Sequence, residues 1–172
     1  LARMKAIAAR KGGPQPGDDI LLSVIGDGRL AAIDMRLVNP NLPNDPGSKL
    51  NLLIANVFRI WKETKLQKFY RPGADGYSDE SHDTGPATQL IFSNLGVKPT
   101  RGFSAHQWMV SELVRLGIPR NEIALIQDHS GTQAARLRLF NDVNEGKVRV
   151  VIGHTRRLAT GVNVQRRLYS LS

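Results

Sequence analysis

Cysteine is absent from the 172 residues. Disulfide cross-links and Cys-ligated zinc are therefore excluded. No apolar run approaches the ~20 residues that a membrane-spanning helix needs. The basic stretch LARMKAIAARKGG at residues 1–13 is amphipathic, but no apolar core or cleavage pattern follows it, so it does not read as a targeting segment. Acidic residues are scarce, 15 Asp and Glu against 24 Lys and Arg, a formal charge of +9. That excess points to a polyanionic partner, and nucleic acid is the commonest one. The four histidines, His82, His106, His129 and His154, show no metal-ligand spacing. No G-x-S-x-G nucleophile turn is present.

What is present is a chain of ordinary globular make-up, 41% hydrophobic and 23% charged. It is long enough for one domain with a real core. The stretch VRVVIGHTRRLATGVNVQ, Val148 to Gln165, organises the reading. Val148, Val150, Val151 and Ile152 form a β-branched run, as expected of a strand buried on both faces. His154 to Asn163 then turns polar and contains Gly161. A buried strand that opens into such a turn sets polar groups at the carboxyl end of a sheet, where open α/β sheets bind ligands.

Upstream, residues 1–10 suit a short helix, and Lys11 to Asp19 a Gly/Pro linker. Ile20 to Ile25 reads as a short strand and Arg29 to Val38 as a helix. The prolines of Asn39 to Gly47 stop that helix. Ser48 is a good N-cap for a helix whose Leu50, Leu53, Ile54, Val57, Phe58 and Trp61 form one apolar stripe. Lys65 to Thr88 is long and polar and reads as an inserted loop. Phe69, Tyr70 and Tyr77 beside Lys68 and Arg71 suggest either base stacking or a mobile insertion. Gln89 to Ser93, Glu122 to Gln127 and the Val148 run then alternate as strands with helices capped by Ser104 and Thr132. Gly146 is a candidate C′ residue. Strand, helix, strand, helix, strand predicts a three-layer parallel-sheet α/β fold. The polar exits Ser93–Asn94, Asp128–Ser130 and His154–Asn163 then share one sheet edge.

Such an edge in a basic chain suits phosphate. The Thr155 hydroxyl and backbone N–H are candidate ligands, or else they close a turn. Arg156 and Arg157 offer guanidinium forks, or a solvated pair. Gly161 permits close backbone approach or makes a turn. Asn163 suits a ribose hydroxyl or a cap. Gln133 and Arg136 share one helix face. Asp128 and His129 lack the third partner an acid–base site needs.

In order, Ile91-Phe92-Ser93, Asp128, Gln133-x-x-Arg136, Gly146 and the T-R…G-V-N stretch resemble the second, carboxyl-side RecA-like domain of superfamily-two helicases. The similarity is closest to the Snf-type DNA-translocating ATPases. Their motif V usually reads S-T-R-A-G-G-x-G-I-N-L, and here His154 to Val164 reads H-T-R-R-L-A-T-G-V-N-V. Ser48-Lys49-Leu50 resembles that family's S-G-K-L helix opening. The leader DGRLAAIDMRLVNP is similar to bacterial plasmid and phage proteins that join such a helicase to an adenine DNA methylase. The resemblance spans about residues 47–168.

It implies an N-terminal extension and linker over 1–46 and a RecA-like domain over 47–172, with 65–88 inserted. It also implies nucleic-acid contacts from Ser93, Asn94, Gln133, Arg136, Thr155 and Arg156, with Gly161 and Asn163 toward an ATP cleft. No catalytic residue and no metal ligand is assigned. ATP and Mg2+ are expected only in a full-length protein, together with DNA, the first RecA-like domain and a fused methylase as partners. The location expected is cytoplasmic. The chain is expected to be a piece of a longer polypeptide, with Walker A, Walker B and motif VI elsewhere. Alternatively it is a non-catalytic nucleic-acid-binding RecA-like module. Arg157, Leu158 and Ala159 replace the family's A-G-G.

Overall fold

The computed structural model describes residues 2–73, 76–97, 99, 102–129, 131–155 and 164–172, and within 71–82 the backbone alone. Four parallel strands form the main sheet: β3 (Thr88–Phe92), β4 (Ile123–Leu125), β5 (Val150–Gly153) and β6 (Leu168–Leu171), in the order β4-β5-β3-β6. The chain leaves β3 for β4 two places away through α4 (Ala105–Arg115), then returns to β5 through α5 (Gln133–Asn144). These crossovers run in opposite directions. Right-handed connections therefore demand that α4 and α5 lie on opposite faces.

The packing agrees. One face of the sheet, Ile91, Ile123, Leu125, Val150 and Ile152, packs on α4 through Met109, Val110 and Leu113. It also packs on α3 (Lys49–Glu63) through Leu50, Ile54 and Val57. The other face, Leu90, Ala124 and Val151, packs on Leu139, Phe140 and Val143 of α5. Alternation along each strand sends successive residues to opposite faces, and both faces are apolar, so the strands read as unbroken hydrophobic runs. Each fully buried aliphatic side chain stabilises by about 1.5–3 kcal/mol. The chain is thus α/β, with a four-stranded parallel sheet between helical layers.

Side-chain oxygens cap the helices where the sequence suggests. Ser48 accepts from the Asn51 amide, Ser104 from Gln107 and Thr132 from Ala135. Gly146 follows α5 with φ +77° and carries the reversal into β5. A Cβ there would meet Pro86 Cγ at 2.9 Å, so the position also needs its bare backbone.

Three expectations fail. Ile20 to Ile25 is no strand: after helix α1 (Ala2–Ala9), Leu21–Ala31 forms helix α2. Six residues are too few to separate a helical period from a buried strand. The expected helix from Arg29 to Val38 is broken into the end of α2 and a 3-10 turn at Met35–Leu37. There Asp34 accepts from the Arg36 backbone and pairs with its guanidinium at 2.9 Å, while Arg36 stacks over Phe103 and Trp108. Burial raises the Asp34 carboxyl, but Arg36 and the Ser48 hydroxyl outweigh it and hold it below the ordinary carboxylate range. Leu37, fully buried, joins the α3–α4 core. Third, Lys65–Thr88 is not a loop. Gln67–Gly73 and Gly76–Gly85 pair as an antiparallel hairpin, β1 and β2. Its polar strands lack the apolar alternation that reveals a strand in a sequence. Their backbone ladder and the Arg167–Asp83 ion pair at 2.7 Å hold it instead. A Cβ on Gly85 would collide with that guanidinium.

Arg149, just ahead of β5, ties the amino edge together. It is 3% exposed, and its guanidinium donates to Ala87 O, Trp61 O, Thr64 O and Thr64 Oγ1. Trp61 Nε1 donates to Glu122, whose carboxylate lies 3.9 Å from Arg149. Burial lowers the Arg149 pKa, and the Glu122 charge opposes that. Removing one partner from a buried charge network is costly because the remaining groups stay desolvated. Arg149→Met is expected to lower unfolding stability by about 3–5 kcal/mol in urea titration. A loss below about 1 kcal/mol would show that water replaces the guanidinium freely.

Candidate functional site at the carboxyl edge of the sheet

The parallel register sets the exits of β3, β5 and β4 side by side. Phe92 pairs with Gly153 and Leu125 with Ile152, so the chain leaves the three strands at nearly one level. The Ser93 amide donates to Gly153 O at 2.9 Å and prolongs the ladder by one bond. One residue on, the Asn94 side chain bridges the two exits. Its Oδ1 accepts from the Thr155 amide at 3.0 Å and from the Thr155 hydroxyl at 2.8 Å.

This bridge changes the role of Thr155. Both donors that suggested a phosphate ligand are already given to Asn94. The double acceptance also fixes the Asn94 amide, with Oδ1 toward Thr155. Its Nδ2 keeps two N–H donors and stands on an exposed residue. The outward donor of the pair is therefore Asn94. Ser93 turns its hydroxyl back to Leu95 O at 2.9 Å, so it shapes the turn.

Beneath the exits lies a residue the metal-spacing argument passed over. His106, 0% exposed, sits in the first turn of α4. Its Nε2 faces Ser93 O at 3.3 Å and its Nδ1 faces Gln127 Nε2 at 3.3 Å. A carbonyl only accepts and an amide N–H only donates, so the ring is neutral with its proton on Nε2. Burial pushes the imidazole pKa down, the Ser93 carbonyl that accepts from Nε2 pushes it up, and the nearby His154 lowers it further. One ring thus joins the β3 exit to the β4 exit. Its helical spacing to Met109, Val110 and Leu113 was the available signal that it faces the core.

Gln133 and Arg136 begin α5, the helix that follows the β4 exit. Gln133 is exposed, and the Arg136 guanidinium lies 5.9 Å from the Phe140 ring centre. Asp128 and His129 end the 3-10 turn after β4. The structure therefore brings Ser93, Asn94 and Thr155 together and sets Gln133 and Arg136 at the head of the neighbouring helix. Arg156, Arg157, Gly161 and Asn163 lie outside the described residues.

The hairpin stands elsewhere. β2 ends at Gly85, just before the amino end of β3, so β1 and β2 join the sheet at the edge opposite the site. Phe69 lies under Arg167 at 5.6 Å, in the hairpin's own anchor. Asp79-Glu80-Ser81-His82 spells D-E-x-H, the letters of a magnesium motif. It runs through β2, an antiparallel hairpin strand, and not through the carboxyl end of a parallel strand. That context does not suit a magnesium site. Among the described residues no group of three His, Asp or Glu is gathered for a metal, and no helix is long and apolar enough to cross a membrane.

The buried neutral imidazole has a measurable consequence. The unfolded chain takes up a proton near pH 6.5, while the folded state resists it. Stability should fall as pH drops below about 6.5, because the unfolded state then binds more protons. His106→Gln should flatten the unfolding midpoint between pH 7 and 5, and an unchanged slope would count against the neutral ring.

Compared with known proteins, the chain matches no family model, no curated protein and no solved structure.

Proposed function

We propose that the chain is the carboxyl-side RecA-like domain of an ATP-dependent DNA translocase or helicase, similar to the Snf type. It contributes contacts to a nucleic-acid backbone and one wall of an ATP cleft. The observation that carries this reading is the Asn94–Thr155 bridge. Residues from two separate motifs of the ordered series, IFS-N and H-T-R, meet at the carboxyl edge of adjacent parallel strands. The net charge of +9 supports a polyanionic partner.

In this reading Asn94, Gln133 and Arg136 meet phosphate oxygens along one strand, and Thr155 holds the Asn94 amide in its donating orientation. Phosphate contacts position a nucleic acid without reading its sequence, which suits a motor that steps along any strand. ATP and Mg2+ belong to the full-length protein, bound mainly by a first RecA-like domain. This chain's share, Gly161 and Asn163, lies outside the described residues, as does Arg156. A fused DNA methylase is the further partner proposed.

A second reading keeps the same face but removes catalysis: a RecA-like module that only holds nucleic acid. The R-L-A replacement of A-G-G at residues 157–159 favours it. Under both readings this chain alone hydrolyses no ATP.

The test is fluorescence anisotropy of labelled single- and double-stranded DNA at two salt concentrations. Arg136→Ala is expected to weaken binding roughly tenfold, about 1.4 kcal/mol, and to reduce the salt slope by about one unit. Thr155→Ala is expected to weaken binding without changing the slope, because it frees the Asn94 amide and removes no charge. Salt-sensitive binding untouched by both substitutions would place the interface elsewhere. ATP turnover by the pure chain, lost on Arg136 substitution, would contradict the account.

A further inference from the structure

Beside the Asn94–Thr155 bridge a second feature opens at the same edge. A cavity of about 350 Å³ lies between α2, the start of α3 and the β3 exit. Its lining includes Arg29 of α2, Lys49 of α3 and Asn94, over an apolar floor that includes Leu53 and Met109. Among the described residues no Asp or Glu lines it. Arg29 and Lys49 are both exposed, and among the described residues neither has an ion-pair partner. Of the carboxylates near this end of α3, Asp34 is already held by Arg36 and by the Ser48 hydroxyl at 2.8 Å, and Asp45 accepts from the Gly47 amide at 2.9 Å. Asn94 adds N–H donors, since its Oδ1 is occupied by Thr155.

Two cations and an oriented amide around one opening, with no acid to neutralise them, make an anion receptor. An Arg fork and a Lys point charge beside neutral donors is the chemistry that recognises phosphate. We propose that this cavity receives a backbone phosphate of a nucleic-acid strand, so that α2 is part of the nucleic-acid interface. Leu30 and Ile33 pack the end of α2 against the α3–α4 core, which holds Arg29 at the rim. The proposal rests on the nucleic-acid reading above and extends it to residues outside the motif series. It makes the strand's path continue from Asn94 toward Arg29 and Lys49.

The experiment measures binding of the full chain to a labelled single-stranded oligonucleotide across a salt series. Wild type is compared with Arg29→Gln, Lys49→Gln, their double variant, Arg136→Ala and Lys62→Gln. Lys62, in the last turn of α3, controls for lost surface charge. Each cavity variant is expected to weaken binding at least threefold and to lower the salt slope by about 0.7, the value for one single-strand phosphate. The double variant should weaken binding further but lower the slope by the same ~0.7, because both cations serve one phosphate, and Lys62→Gln should leave it near wild type. Because Arg29 and Lys49 are exposed, circular dichroism should show unchanged folding.

If Arg136→Ala weakens binding while both cavity variants match Lys62→Gln, this proposal is overturned and the broader reading stands. If wild type does not bind the oligonucleotide, both fail. If inorganic phosphate binds wild type but not the double variant, while both bind the oligonucleotide alike and phosphate at matched ionic strength displaces it from neither, the cavity is a free-phosphate site, and the strand assignment is overturned.

Discussion

The position of β5 between β3 and β4 is the constraint on which the remainder depends. Parallel pairing on both sides fixes Gly153 opposite Phe92 and Ile152 opposite Leu125. A slip of one residue would turn Val151 toward α3 and α4 and Ile152 toward α5, exchanging the two cores. It would also separate Asn94 from Thr155. Burial on both faces therefore does more than stabilise the sheet. It sets where the polar residues that follow each strand come to stand.

The two edges of that sheet have different characters. At the amino edge, groups are closed on one another: Arg149 on the carbonyls of Trp61, Thr64 and Ala87, and Arg167 on Asp83. At the carboxyl edge, the groups that bond to one another leave donors facing outward. Asn94 spends its oxygen on Thr155 and keeps its N–H groups, while Arg29 and Lys49 stand exposed nearby. Closed networks lie at one end of the strands and outward donors at the other, the end where open α/β sheets bind ligands.

The parts legible in the sequence were those where one local rule decides. Val150, Val151 and Ile152 are β-branched and buried on both faces. Ser48, Ser104 and Thr132 are hydroxyl residues just ahead of amphipathic runs, and each caps its helix. Elsewhere the outcome depended on distant partners. Leu21 and Leu22 look like strand residues, yet they open helix α2 and both stay exposed on it. The hairpin is invisible locally because Asp83 finds its partner in Arg167, eighty-four residues away. β6, with Tyr169 and Leu171 exposed at the sheet margin, lacks a buried period and gave no signal. Within the site, the motif letters singled out Thr155 but could not show that Asn94 takes both of its donors. His106 was passed over because its role is a bridge between two carboxyl ends and not ligation.

The central claim is that a nucleic acid lies across the carboxyl edge. Hydrogen–deuterium exchange with and without saturating single-stranded DNA tests it most directly. The account predicts slowed exchange at residues 93–97, 127–136 and 154–155, with the hairpin 67–85 unchanged. Protection confined to the hairpin or to the amino ends of the strands would contradict it.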